Sequence, residues 1–440
     1  MSKSVLNIGF DDTDSPSGMC TTFLAYKIVE QLQKQKIEFV DYPRLIRFNP
    51  NIPWKTRGNG AVSIQIKTDN PSKIKRQIKN LVMTYSDTKN GANPGLVFFD
   101  SDVIPSEFTK FSELALWQLI KRNQAKKFAQ QNDIEFFYQG NGQGLIGAIG
   151  AIGYPFEDHT MELLSYRDKS KFGKKREISL TSVKLMHEKT SPNTFNSIDS
   201  KKDKMLISPH GPDPVLYGIR GENVKSLVSA SKIIQTKEKP VGYMIFKSNQ
   251  GTGDHLKHEL TSETMKPYAS GTIIGYLSED PQILRGGHVL FKISASDVEF
   301  FCAVYKPTGM SVVASRLIKG DKIHIGGGVR PASKNFPRVV NIEFIKILNL
   351  EKNFSFSNPL CKQCMKKMKS KGQNQGFQCV KCGNRQSKKV QVKIQRELET
   401  KLYLPKNSAH RHLTRPSERI GRKNQINFDD TKPWFCVYRK

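Results

Sequence analysis

Four of the seven cysteines fall into two pairs, Cys361-x2-Cys364 and Cys379-x2-Cys382, with fourteen residues between the pairs. Two tight turns at this spacing deliver four thiolates to one tetrahedral Zn2+, which predicts a zinc ribbon, four unrelated buried cysteines being the alternative. Such a site has no open coordination position, so its zinc is structural and the chemistry must lie elsewhere in the chain. Thiolate ligands belong to a reducing compartment, where Cys20, Cys302 and Cys436 are expected as free thiols.

The chain around that ribbon is strongly basic. Its last 90 residues carry 22 Lys+Arg against 6 Asp+Glu, a net +16 within a whole-chain excess of +30. The imbalance disfavours neutral or cationic partners and points to a polyanion. Lys366, Lys367, Lys369 and Lys371 lie on the ribbon, where they suit a phosphate backbone or a solvated face. Apolar residues make up 37% of the 440, enough for packed cores, and the length predicts three or four domains. The longest apolar stretch, Gly144–Tyr154, falls well short of the ~20 residues that cross a bilayer. The first ten residues hold no secretory signal, so a cytoplasmic protein is expected.

Ser4–Phe10 reads as a strand, followed by the acidic turn DDTDS and a helix whose Leu24, Ile28 and Leu32 share one face. Strands over Phe39–Phe48, Ala61–Ile66 and Gly95–Phe99 alternate with helices over Ser72–Tyr85 and Thr109–Gln131, an α/β domain spanning 1–133. Residues 134–265 follow as an α+β unit of ferredoxin-like order, with Ser191–Lys204 as a surface loop. Short strands separated by glycine turns over 266–352 predict a Greek-key β-barrel of the OB type, a fold that commonly presents one face to single-stranded nucleic acid. Residues 353–440 are the zinc ribbon and a basic tail. The expected fold class is therefore a multidomain α/β and α+β chain.

Asp11, Asp12 and Asp14 lie just past the first strand, where α/β proteins place ligand sites, and carboxylates so spaced could hold Mg2+ against phosphate oxygens. A pair of Asx turns is the alternative. Gly18, Thr21 and Thr22 open the next helix, whose N–H groups favour an anion. No acidic residue lies between Tyr42 and Thr68, while Arg44, Arg47, Lys55 and Arg57 cluster there with Gly58 and Gly60, an arrangement suited to phosphates. There is no GxxxxGK[ST], so any nucleotide is held in another way. Gly142, Gly144 and Gly147 match GxGxxG, but their small, glycine-spaced neighbours favour close helix packing or a backbone-lined substrate pocket over a dinucleotide. His255 and His258 read as surface histidines rather than metal ligands.

Together these blocks resemble the archaeal tRNA-isoleucine 2-agmatinylcytidine synthetases. IGFDDTDSPSGMCTTFLA (Ile8–Ala25), PRLIRFNPNIPWKTRGNGA (Pro43–Ala61), GQGLIGAIGA (Gly142–Ala151), PVLYGIRGE (Pro214–Glu222) and the paired cysteines carry the likeness in the family's order. The resemblance implies a kinase-like N-terminal domain followed by ferredoxin-like, OB and zinc-ribbon domains. It implies that ATP is converted to AMP and that agmatine replaces the 2-oxygen of the wobble cytidine in a CAU-anticodon isoleucine tRNA. Asp11, Asp12 and Asp14 would hold the metal–triphosphate complex, and Thr21 corresponds to a threonine that becomes phosphorylated. Agmatine is a dication, for which Asp158 and Glu162 are the expected acceptors. The competing reading is a non-catalytic RNA-binding protein with a degenerate nucleotide fold. It leaves three carboxylates facing a phosphate partner without a purpose.

Overall fold

Alternation along the first strand, Ser4–Asp11 (β1), decides which side of the sheet does what. Leu6, Ile8 and Phe10 are fully buried on one face, while Gly9 and Asp11 turn to the other and meet a glycine-rich helix. The structure, a computed structural model, describes residues 3–199, 202–334 and 336–438. The chain divides into two compact units: Met1–Ile273 with Gly326–Glu343 and Leu404–Lys440, and Ile274–Ile325 with Phe344–Tyr403.

In the first unit β1 is followed by α1 (Thr21–Lys34), β2 (Arg44–Arg47), β3 (Gly60–Thr68), α2 (Pro71–Tyr85), β4 (Gly95–Asp100), α3 (Ser106–Trp117), α4 (Arg122–Gln131), β5 (Glu135–Tyr138) and α5 (Gly144–Gly153). The chain continues with β6 (Thr160–Tyr166), α6 (Leu180–Thr190), β7 (Thr194–Phe195), β8 (Val215–Gly221), α7 (Val224–Ile233) and β9 (Gly242–Ser248). All of these strands share one sheet, in the order β5-β4-β1-β3-β2-β9-β6-β8-β7. Two βαββαβ modules thus lie side by side with the same internal order, β4-β1-β3-β2 and β9-β6-β8-β7. Neighbours within each module are antiparallel. The seam between them is a short parallel pairing of Arg44 with Lys247 and Leu45 with Ser248.

Helix caps follow from sequence: Asn70, Ser179 and Asn223 each accept a backbone N–H three residues on, starting α2, α6 and α7. Leu24, Ile28 and Leu32 of α1, Ile74 and Ile78 of α2, Met186 of α6 and Leu227 of α7 bury in one cluster with Leu6, Ile8 and Phe10. The opposite face of the first module is covered by α3, α4 and α5 around Phe108, Ala125, Leu145 and Ala148.

Two expectations need correction. The helix expected over Thr109–Gln131 is two helices: Gln118 is extended, Ile120 is buried, and the Lys121 N–H donates to Gln124 Oε1 at 2.7 Å to restart the helix. The surface loop expected over Ser191–Lys204 is partly core. Thr194–Asp199 is buried, and β7 pairs with Arg220 and Gly221 because Phe195 and Ile198 supply apolar anchors.

Strands β10 (Ser270–Leu277), β11 (Val289–Ala295), β12 (Val298–Val304), β13 (Lys322–Arg330) and β14 (Val339–Asn349) run in the order β10-β13-β14-β12-β11. Pairing of Tyr276 with Ser294 returns β11 to β10 and closes a five-strand barrel. In the second unit Asn353–Ser357 pairs with Val390–Ile394, and three two-residue strands form a small sheet beside the cysteine pairs. The C-terminal segment belongs to the first unit: Phe435–Val437 (β15) adds to β9, and Trp434 enters the main core. Among the described residues no helix is long and apolar enough to cross a membrane.

Candidate active site

Strand β1 ends on Asp11, and the chain then turns through Asp12, whose left-handed backbone (φ 55) is held only by its surroundings. A Cβ at Gly147 would overlap Asp11 Oδ2, so α5 and this carboxylate come together only because that residue is glycine. Asp11 and Asp12 line a cavity of about 660 Å³. Its other walls include the cations Lys55, Lys121 and Arg122, the amide of Asn59, and the apolar Phe48 and Trp54.

The electrostatics of this corner are unsatisfied. Burial first, and the Asp12 charge second, push the Asp11 carboxyl well above its ordinary range. Burial followed by Asp14 pushes Asp12 up to about 7. Asp12 Oδ2 is buried and has no hydrogen-bond partner. Two adjacent hard oxygen ligands that resist ionisation fit Mg2+, which would let both ionise.

Asp14 does not join them. Its carboxylate accepts from Arg57 Nη1 at 2.6 Å and Thr56 Oγ1 at 3.1 Å, with Thr21 Oγ1 at 3.5 Å. Burial still raises it, although Arg57 opposes the rise. Arg57 also donates to the Ser15 and Met19 carbonyls, pinning both ends of the turn that Ser15 and Gly18 close. Thr21, the first residue of α1, is buried and accepts from Thr13 Oγ1 at 3.1 Å. Thr22 is buried too, in contact with Cys20 Sγ. Among the described residues, the four cysteines are the one group of three or more His, Cys, Asp or Glu whose ligand atoms lie within 4.8 Å of one another. The three aspartates are therefore not a preformed metal triad.

The cationic run is largely compensated by acids, one adjacent to it and others remote in sequence. Arg44 pairs with Asp41, and Arg47 pairs with Glu162 at 3.3 Å. Arg57 serves Asp14 and approaches Asp213 at 3.8 Å. Of the four, Lys55 faces the cavity, its charge opposed by burial and by Arg411. Gly60 lines the cavity, while Gly58 packs against His412 and Arg47. Lys121 and Arg122 escape sequence reasoning because the helical period runs through them without a Gly or Pro.

Gly144 seats α5 against Gly95 and the Asp11 carbonyl, and Gly142 (φ 76) packs on Tyr138. Asp158 and Glu162 are not gathered with Asp11 and Asp12. Asp158 accepts from Arg415 at 2.7 Å, Arg419 at 2.9 Å and the Asn424 N–H at 3.0 Å. Burial opposes its ionisation, yet the Arg419 hydrogen bonds hold it below the ordinary range. Glu162 sits between Arg47 and Arg220. Of the two histidines expected at the surface, His255 is instead buried against Glu343 at 3.0 Å, while His258 is half-buried with its ring stacked on Trp117.

In the ribbon, Met365 (φ 54) and Gly383 (φ 78) each follow the first cysteine of a pair by four residues and turn the chain so that both thiols face inward. Cys361, Cys364, Cys379 and Cys382 present their sulfurs within 4.8 Å of one another, which fits one tetrahedral Zn2+. Lys366 and Lys367 are exposed beside them.

Comparison with known proteins matches this geometry to one family. Residues 7–141 match the TiaS TCKD domain, 142–255 the TiaS FLD domain and 358–398 the TiaS C-terminal zinc ribbon domain. The isoleucine-tRNA 2-agmatinylcytidine synthetase TiaS of Cenarchaeum symbiosum is 45% identical over 433 residues, covering 98% of this chain and 97% of its own. That of Methanocaldococcus jannaschii is 39% identical, covering 94% and 98%. The crystal structure of TiaS in complex with an isoleucine tRNA and ATP superposes with a TM-score of 0.86 at 33% identity, covering 97% of this chain and 100% of that one. A complex of TiaS with the same tRNA, AMPCPP and agmatine gives 0.84 at 32% identity, with the same coverage. With up to 45% identity over nearly the full length of both chains, the chain belongs to the isoleucine-tRNA 2-agmatinylcytidine synthetase (TiaS) family.

Proposed function

We propose that this protein uses ATP to join agmatine to C2 of the wobble cytidine in a CAU-anticodon isoleucine tRNA. The observation that carries the reading is the cavity that sets two buried, under-compensated carboxylates opposite Lys55, Lys121 and Arg122. Asp11 and Asp12 would hold Mg2+, which draws charge from the triphosphate, and the three cations would steady its oxygens. Transfer of one phosphoryl group from ATP turns the cytidine 2-oxygen into a phosphate leaving group, and AMP forms when a second phosphoryl group passes to the Thr21 hydroxyl or to water. The agmatine amine then forms the C–N bond as the C–O bond breaks. Asp14 and Arg57 position the turn, and Thr21 is the hydroxyl available for phosphorylation beside Asp14.

In this reading 1–133 is the kinase-like ATP-binding domain, 134–265 ferredoxin-like, 266–352 an OB-fold, and 353–440 ribbon and basic segment. The order β9-β6-β8-β7 supports the second assignment and the closed order β10-β13-β14-β12-β11 the third. The ribbon lysines, Lys366 and Lys367 among them, engage tRNA phosphates. Because Asp158 is engaged by two arginines, agmatine is better served by acceptors within the cavity than by Asp158. Incubation with labelled ATP, agmatine and unmodified transcript should yield AMP and a mass gain on the wobble cytidine. ATP turnover without that mass gain would refute the reading.

A further inference from the structure

Trp54 is 59% exposed, yet it lines the cavity that holds Asp11 and Asp12. A large aromatic ring left open on the wall of a charged cavity offers its face to whatever enters there. Its mounting is rigid. The ring of Tyr268 meets it edge-on, with centroids 6.0 Å apart and planes at 64°. Tyr268 itself is held in a left-handed backbone (φ 69). Its N–H is bonded to the Val329 carbonyl at 2.8 Å, and its carbonyl accepts from Asn49 Nδ2 at 2.8 Å. Asn49, fully buried, also accepts from the Asn51 N–H and from Asn59 Nδ2, knotting the loop that carries Trp54. The Trp54 carbonyl accepts from Gln143 Nε2 at 3.1 Å. The loop is thereby fixed from both sides, while the indole remains open.

We infer that Trp54 is a stacking platform for an aromatic base at the phosphate-binding cavity. An indole face beside carboxylates and cations matches a nucleotide, whose base is planar and whose phosphates are charged. This assignment rests on the proposed ATP and cytidine chemistry of the same cavity. The base is either the adenine of ATP or the cytosine turned out of the RNA, and the two are separated by presenting one at a time.

The test uses full-length protein with Trp54→Ala, Trp54→Phe and wild type. Each is titrated with Mg·ATP alone, with unmodified tRNA alone, and with inorganic tripolyphosphate, following tryptophan emission and, independently, calorimetric affinity. Trp54→Ala should bind one of the two base-bearing ligands about 10- to 100-fold more weakly, and Trp54→Phe should recover most of that loss. Part of the emission quenched by that ligand in wild type should be missing in Trp54→Phe. Tripolyphosphate affinity should be equal in all three, because it lacks a base. The responding ligand identifies the base. Wild-type affinity of Trp54→Ala for both ATP and tRNA would overturn the platform even if the wild-type enzyme makes agmatinylcytidine. Absence of that product from the wild type would instead count against the proposed function.

Discussion

The two βαββαβ modules share one strand order and one sheet, yet their buried carboxylates behave in opposite ways. At the end of the first strand of the first module, Asp11 and Asp12 are raised in pKa, and Asp12 Oδ2 has no partner. Just before the first strand of the second, Asp158 is held by two guanidiniums and a backbone N–H and is lowered. Burial is common to both; what differs is whether the fold supplies the countercharge. In the second module the chain closes its own electrostatic circuit with Arg415 and Arg419 from the C-terminal segment. In the first Asp12 receives only hydrogen bonds from Asn93, which do not offset burial and Asp14, so the corner is left for a ligand to neutralise. A site of this kind is made by leaving acids unpaired rather than by gathering them.

The comparison is broken most severely by removing the withheld charge. Asp12→Asn should lower agmatine transfer by at least about 10³-fold, because a metal–triphosphate complex loses a ligand. tRNA affinity should stay within about threefold, since phosphate contacts elsewhere are untouched. Parallel loss of tRNA binding would mean that Asp12 shapes the fold instead.

Next in size is the opposite module. Arg419 is fully buried and serves both Asp158 and Glu222. Arg419→Met strands Glu222 and leaves Asp158 only Arg415 and the Asn424 N–H, so unfolding free energy should fall by roughly 3 kcal/mol, read from denaturant melts. A change below about 1 kcal/mol would show that Arg419 is not what satisfies the two carboxylates.

pH then sharpens the contrast through opposite signs. The Asp12 pKa is raised from 3.8 to about 7, so its proton favours the fold below pH 4, and that contribution disappears as pH rises through 7. In chelator, Asp12→Asn should therefore be more stable than wild type at pH 8, by an amount on the order of 2 kcal/mol. The advantage should vanish near pH 4, and saturating Mg2+ should erase it. The Asp158 pKa is lowered, so Asp158→Asn should be the less stable protein above pH 4, converging with wild type only below pH 4, as pH falls through the lowered folded-state value. Equal slopes for the two variants would remove the distinction drawn between the modules.

What the sequence reveals of this arrangement follows the range of the forces involved. The ribbon is legible because four thiolates at fixed spacing admit one solution, and the acidic turn because it directly follows a strand. The compensation of Arg47 and Arg57 is not, because Glu162 lies 115 positions from Arg47 and Asp14 lies 43 from Arg57, joined only by the fold. The same holds for Asp158, whose arginines arrive from the far end of the chain. Lys121 and Arg122 are hidden by a helical period that tertiary packing of Ile120 interrupts.

The smallest effect tests the basic ribbon, where the charges are neither buried nor paired. Lys366 and Lys367 stand exposed beside the cysteine cluster, so replacing either costs the fold almost nothing. If both neutralise tRNA phosphates, the double Lys366→Gln, Lys367→Gln variant should release about two fewer counterions. The slope of log affinity against log salt would then flatten by roughly 2, with zinc content unchanged at one ion per chain. An unchanged slope would leave these lysines as a solvated surface. Here, unlike in either module, the function lies in charges that water alone already satisfies, and only the salt dependence of binding can distinguish a contact from a coat.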